Sequence, residues 1–251
     1  MFHDPIHIGN ISSTDKSLVA LYAGNYNPGS PSSRGYYLVY DASDGSLSAI
    51  PPLPDRHTFY GLGRGAAILS LDGKGSYVLA ELVESRSRFP KVDLFLWKSP
   101  ASPNQAGRWV RRSLRLPYHV FDWDKRHAFF IDRAFSYAGS SICWVDLFSG
   151  AIICDLLAAE PQLTFVPLPA ACSIDFPVRT RPQPHEFRTM GCVRGAIKFA
   201  TLDGFYGSTP ESRQRRRHRA ADLDALAGPH GVEGGRRGAA RRRPLGEREL
   251  P

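Results

Sequence analysis

No Cys-x-x-Cys pair occurs among the four cysteines of this 251-residue chain, which stand at 143, 154, 172 and 192, so zinc-ribbon and zinc-finger spacings are excluded. No apolar run approaches the roughly 18 residues that a membrane-spanning helix needs, and no membrane contact is expected. The opening Met1-Phe2-His3-Asp4-Pro5 holds neither a basic nor an apolar stretch, which predicts no secretory route and hence a cytoplasmic or nuclear protein with free thiols. Helical periodicity is scarce; its best stretch, Asp155 to Glu160, is too short to organise a fold. A G-x-S-x-G elbow is absent, and no histidine shares a motif with a nucleophile, so the common acyl-transfer signatures are missing.

What is present points to strands. Hydrophobic residues make up 42% and charged residues 22%, enough apolar side chain for most of the chain to fold. Twenty prolines and 23 glycines imply many turns, which favours strands over long helices. Short apolar runs of strand length recur at Ser17–Tyr22, Tyr36–Tyr40, Leu47–Ile50, Ser76–Val83, Val92–Trp97 and Arg108–Leu114. Gly61 to Leu71 fills in another. Between Tyr40 and Leu47, Asp41-Ala42-Ser43-Asp44-Gly45 reads as a tight turn, because Asp bonds its own backbone and Gly tolerates positive φ.

The same plan returns later. Ile142–Val145 runs out, Asp146-Leu147-Phe148-Ser149-Gly150 turns, and Ala151–Cys154 runs back, so that Asp41 and Gly45 correspond to Asp146 and Gly150. Val92–Trp97 and Arg108–Leu114 form a third copy with a swollen loop. Each copy ends on a Leu-Pro step, at Pro54, Pro117 and Pro169, and the spacings of 63 and 52 residues suit four-stranded blades. Repeated hairpins cannot bury their faces alone and must stack. The expected fold is therefore all-β and mainly antiparallel: a partial β-propeller-like array of hairpin blades over residues 1–210, with a β-sandwich as the alternative.

The segment Cys143-Trp144-Val145-Asp146, then Gly150, Cys154-Asp155, Glu160-Pro161 and Phe165-Val166-Pro167-Leu168-Pro169, resembles the core motif of the plant DUF1618 family, a domain of unknown function. Gly195-Ala196-Ile197-Lys198-Phe199 resembles its later strand, which puts the core motif at about 143–204. The resemblance implies a propeller-like fold and no chemistry. Cys143, Trp144, Val145, Asp146, Gly150, Cys154, Asp155, Pro167, Leu168 and Pro169 are thus expected to be structural. No catalytic, cofactor-binding or metal residue is expected.

Other residues offer candidate chemistry. Gly61-Leu62-Gly63-Arg64-Gly65-Ala66 imitates a phosphate loop but is followed by strand and turn residues, not a helix. Asp122, Asp124 and His127 could hold a metal, yet lack the glycine and closing glutamate of a calcium loop. Cys143 and Cys154 could face each other across the hairpin, as a redox pair or as two small buried hydrophobes. Trp97, Trp109, Trp123 and Trp144 could be a ligand platform or core filling between blades. Asp41 and Asp146 could be catalytic acids or turn caps.

Composition shifts at Glu211. The 41 residues to Pro251 hold 11 arginines and six acids, which accounts for +5 of the net +8, and no Phe, Trp, Tyr, Ile, Met, Cys or Lys. Residues 211–251 are expected to be a disordered basic tail and an off-frame read of a GC-rich gene. In the coding DNA, the frame one base on is expected to encode Thr-Trp-Thr-Leu and then Asp-Leu-Trp, which resemble later family strands. The functional expectation is an uncharacterised, non-catalytic protein-interaction scaffold, monomeric, with an unidentified protein partner. The alternatives are an enzyme with a pocket on the central axis and nucleic-acid binding through the Arg-rich tail, Gln214–Arg219 above all.

Overall fold

The structure is a computed structural model, and it describes residues 8–24, 35–54, 65–71, 75–84, 91–99, 107–117, 129–174, 181–203 and 217–222. Among these residues every regular element is a strand, apart from two 3-10 turns at Ala170–Cys172 and Pro184–Glu186. No helix among them is long and apolar enough to cross a membrane.

Among the described residues fifteen strands form four antiparallel sheets, each a meander in chain order. The first holds β1 (Ile8–Asp15), β2 (Leu18–Gly24), β3 (Tyr36–Asp41) and β4 (Ser46–Ile50). The second holds β5 (Ala66–Ser70), β6 (Tyr77–Glu84), β7 (Lys91–Lys98) and β8 (Trp109–Arg115). The third holds β9 (Arg133–Tyr137), β10 (Ser141–Asp146), β11 (Gly150–Asp155) and β12 (Leu163–Pro167). The fourth holds β13 (Arg188–Val193), β14 (Ala196–Asp203) and β15 (Arg217–Asp222). All-β antiparallel architecture is thus the fold.

The sheets stack in sequence order, each pair sealed by its own core. Tyr22, Tyr37 and Ile50 of the first meet Ile68, Leu79 and Trp97 of the second. Leu69, Leu82 and Leu94 of the second meet Ile142, Trp144 and Ile152 of the third. Val145, Leu147 and Val166 of the third meet Met190, Ile197 and Phe199 of the fourth. The middle sheets are therefore covered on both faces, which is why β10 is buried at all six positions, whereas β3 alternates. The Leu-Pro steps fall where expected, just after β4, β8 and β12, and the leucine of each packs against a core.

Both expected hairpins form. Asp41 pairs with Ser46 and Asp146 with Gly150. Their equivalence does not hold: the Asp41 turn joins the third and fourth strands of its sheet, the Asp146 turn the second and third. Asx chemistry serves any tight hairpin, so it marks turns and not their place in a repeat. Asp155–Glu160 is not helical; β11 ends at Asp155, whose Oδ1 accepts the Leu157 N–H at 2.9 Å. Part of the segment expected to be a tail is strand, since Arg217–Asp222 pairs along β14. The rest of 211–251 lies outside the described residues.

The first strands of the sheets gather together. β1 packs against β5 and β9, and β13 against β9. Side chains of β1 satisfy the open edge of β5: Ser13 Oγ accepts the Ile68 N–H at 2.8 Å and Asp15 Oδ2 the Ser70 N–H at 2.7 Å. Arg133 on β9 donates to Thr189 Oγ1 on β13 at 2.9 Å.

Candidate functional site

Where these first strands converge, a cleft of about 970 Å³ opens between β1, β9, β13 and the segment Arg181–His185. Its walls are polar because its strands are: Asn10, Ser12 and Thr14 from β1, Arg133 and Ser136 from β9, Cys192 from β13. Asp132, Arg181, Gln183 and His185 complete the charged and hydrogen-bonding part of the wall.

The charges at its base are already committed. Arg181 binds Asp132 with both guanidinium arms, at 2.9 and 2.8 Å, and Asp146 Oδ1 at 2.9 Å. Asp146 also accepts the N–H groups of Phe130 and Phe148, and Asp132 that of Leu147. Burial pushes the Asp146 carboxyl above its ordinary value, while Arg181 and the two N–H groups pull it back. Burial pulls the Arg181 guanidinium down, but the Asp132 hydrogen bond and both carboxylate charges more than offset this and hold it above its usual value. Its planar group lies over Phe130 and Phe148 at 5.0 and 4.9 Å. Beside it, buried Arg188 donates to the Leu147 carbonyl at 2.9 Å and the Cys172 carbonyl at 2.6 Å, tying the β10–β11 turn to the fourth sheet. This cluster clamps a turn.

That assignment predicts a loss on removing the cation. Arg181→Gln leaves two buried carboxylates facing each other with only N–H donors, and should destabilise the fold by about 1–3 kcal/mol at pH 7, less than a fully buried pair because Arg181 is partly exposed. Asp146, raised by burial, loses its main counter-charge, so the folded variant takes up a proton more readily than the unfolded chain. Its deficit should therefore shrink as pH falls towards the ordinary carboxylate range. Urea unfolding at pH 7 and pH 5 checks this; an equal or larger deficit at pH 5 contradicts the clamp.

The other residues singled out in the sequence fall as follows. Asp41 Oδ1 accepts the Ser43 N–H at 2.9 Å, and those bonds hold its carboxyl below the usual value, so Asp41 and Asp146 both act as turn caps. Cys143 lies opposite Ile153, and Cys154 opposite Ile142. This one-residue offset turns the two cysteines to opposite faces of the sheet, into different cores, and overturns the facing pair. Trp97 and Trp144 are buried and Trp109 half-buried, with Trp97 and Trp109 edge-to-face at 5.6 Å, so these three fill core and form no platform. Val145 and Gly150 are buried, Asp155 and Pro167 exposed, Leu168 and Pro169 half-buried. Trp123, Asp122, Asp124, His127 and Gly61–Arg64 lie outside the described residues. Among the described residues no group of three or more His, Cys, Asp or Glu could hold a metal. Sequence reasoning missed Asp132, Arg133, Arg181 and Arg188; single charged residues in loops and polar strands carry no motif.

The family model described as protein of unknown function (DUF1618) matches residues 144–225. Over that third of its length the chain is similar to the DUF1618 family. No curated protein and no solved structure matches it. The DUF1618 match begins within β10 and takes in Asp146, Arg181 and Arg188 of the clamp. It also runs through residues 211–225, and so through β15.

The thiols give a direct check on this packing. Cys143, Cys154 and Cys172 are buried and Cys192 exposed. Burial pushes the Cys143 thiol far up and the Cys154 thiol to about 11. At pH 8 the folded chain should expose one fast-reacting thiol, at Cys192, and four after denaturation, by a colorimetric thiol titration with peptide mapping. Rapid labelling of Cys143 would contradict the packing of the third sheet on the fourth.

Proposed function

We propose that this chain is a non-catalytic protein-interaction scaffold, built as a propeller-like array of four blades. Four successive meanders, stacked face to face with their first strands gathered around one cleft, support the propeller reading over a sandwich. Free thiols fit a reducing cytosolic or nuclear compartment.

The observation that carries the scaffold reading is the outer face of the first sheet. Positions turned away from the second sheet line up in cross-strand rows: Leu21, Leu38 and Ala49 in one, Val19, Tyr40 and Leu47 in the next. Leu47 is 62% exposed, Tyr36 53% and Tyr40 40%. A contiguous apolar face of this kind marks an interaction surface. The second reading, an enzyme working in the axial cleft, draws on that cleft's size and polar wall. Against it, Asp132 and Arg181 are spent on the clamp.

A photo-crosslinker separates the two. Benzoylphenylalanine at Tyr40 should yield protein adducts in an extract of the source cells, and the same group at Ser136 in the cleft should not. Protein adducts from Ser136 alone would overturn the scaffold reading.

A further inference from the structure

The cleft shows its cations and hides the acids that balance them. Arg181 holds Asp132 and Asp146, and its side chain is 21% exposed against 7% and 2% for the two carboxylates. Buried Arg188, bonded to two carbonyls beside them, supplies the second positive charge of the cluster. Two arginines thus offset two aspartates, and Arg133 is left over. It stands exposed in the cleft wall at the start of β9. Its hydrogen bond goes to the neutral Thr189 hydroxyl, and no carboxylate among the described residues pairs with it. Among the described wall residues Asp132 is the only acid.

The rest of that wall is neutral and rich in donors and acceptors. Asn10 and Thr14 stand on β1, Ser136 on β9, and Gln183 on the segment beside them. β1 bulges between Ile11 and Ser13, and the Oγ of the bulged Ser12 is buried without a partner, a donor still unused. We propose that this cleft binds a small hydroxylated anion, a phosphate or carboxylate carried on a sugar-sized body, with Arg133 as the anchor of the charged group. The proposal goes beyond the scaffold reading and does not rest on it, because the apolar face of the first sheet lies outside the cleft.

The chemistry of the wall selects this class. A guanidinium fork meets either oxyanion with two parallel N–H bonds. Thr189 takes Nη1 of Arg133, which fixes the direction of the fork and leaves its other N–H groups to donate. Arg181 adds charge but no fork, since both its arms are committed to the clamp. Asn10 to Thr14 spans about 13 Å of strand, so the hydroxyls and amides of the wall suit a ligand with hydroxyls at several points along it. An apolar ligand would strand those groups, and a cationic one would face Arg133. At about 970 Å³ the cleft has room for a monosaccharide carrying one charged group.

Titration calorimetry of the full chain with glucose 6-phosphate, gluconate, glucose and inorganic phosphate tests it. Each probe is taken to about 10 mM, because one charged anchor with a few neutral hydrogen bonds corresponds to binding near the millimolar range. At least one of the two sugar anions should bind at a single site, about tenfold or more tighter than glucose and inorganic phosphate, and more weakly as salt is added. Which of the two binds tells phosphate from carboxylate. Arg133→Gln should weaken that binding about 10–100-fold, and Thr189→Val, which only releases the fork, by less. Both positions are exposed, so circular dichroism and melting without ligand should match the wild type. Should Arg133→Gln fail to fold, Thr189→Val carries the test. Sugar anions that do not bind, or that bind no better than glucose or inorganic phosphate, overturn the proposal. So does binding that a folded Arg133→Gln chain keeps in full. None of these outcomes alters the crosslink expected from Tyr40, so the two readings fail separately.

Discussion

Replacing Trp144 with alanine should lower the unfolding free energy by about 4–5 kcal/mol, and replacing it with phenylalanine by about 1–3 kcal/mol. Trp144 is fully buried at the centre of the core between the second and third sheets. Its ring is flanked in register by Ala134 on β9 and Ile152 on β11, and the small Ala134 side chain leaves it room. Its indole N–H donates to the Gly65 carbonyl at 2.7 Å, across 79 residues of chain. Phenylalanine keeps most of the ring and abandons that carbonyl in a dry core, so it isolates the hydrogen bond. Alanine adds the cavity. Domains of this kind hold only about 5–15 kcal/mol in total, so the alanine variant should sit near its unfolding midpoint in mild urea. Equilibrium denaturation of the two variants beside the wild type decides it. Phenylalanine as costly as alanine would mean that the hydrogen bond, not packing, joins these sheets; both near zero would mean the sheets are not stacked through Trp144.

The strands legible in the sequence and those that were not differ in what they face. The runs Val92–Trp97 and Ile142–Val145 stood out because their sheets are covered on both sides, so nearly every position is apolar. β1, β9 and β13 left no apolar run and were passed over. They are the first strands of their sheets, and one side of each lines the polar cleft, where Asn10, Ser12, Arg133, Ser136 and Cys192 stand. A hydrophobic pattern cannot reveal a strand that solvates half its face in a cleft. β15 was missed for a different reason: Arg217–Asp222 has no aromatic or β-branched residue and is held by pairing along β14.

The site was half legible. Asp146 stood in the motif, and its role as a turn cap followed from its spacing to Gly150. Its counter-ion did not, because Arg181 approaches from 35 residues away and stands in no motif. The offset of Cys143 against Cys154 was within reach of arithmetic. Pairing Asp146 with Gly150 sets Cys143 opposite Ile153, and a turn centre placed half a residue late reversed the face.

Gly150 separates two things the sequence merges, a flexible turn and a close approach. Gly45 and Gly150 both end an Asp-containing turn with positive φ, +73° and +147°. A Cβ on Gly45 would meet nothing within 4 Å. One on Gly150 would collide with the Val166 carbonyl oxygen and come within 2.9 Å of Pro167 Cα, both backbone atoms of β12. That strand pairs with Gly150 through Pro167, so the collision cannot be relieved without opening the β11–β12 ladder. Gly45→Ala should therefore cost only the conformational strain, about 1–2 kcal/mol. Gly150→Ala should cost about 3–5 kcal/mol, the sum of a backbone region that side chains avoid and a forced shift in a packed sheet. The two variants, compared by urea unfolding, read the geometry directly. Gly45→Asn serves as a control, since asparagine tolerates the left-handed region and should be close to neutral. If Gly150→Ala proves no worse than Gly45→Ala, β12 does not lie against the β10–β11 turn. The clamp of Arg181 and Arg188 around that turn would then need another explanation.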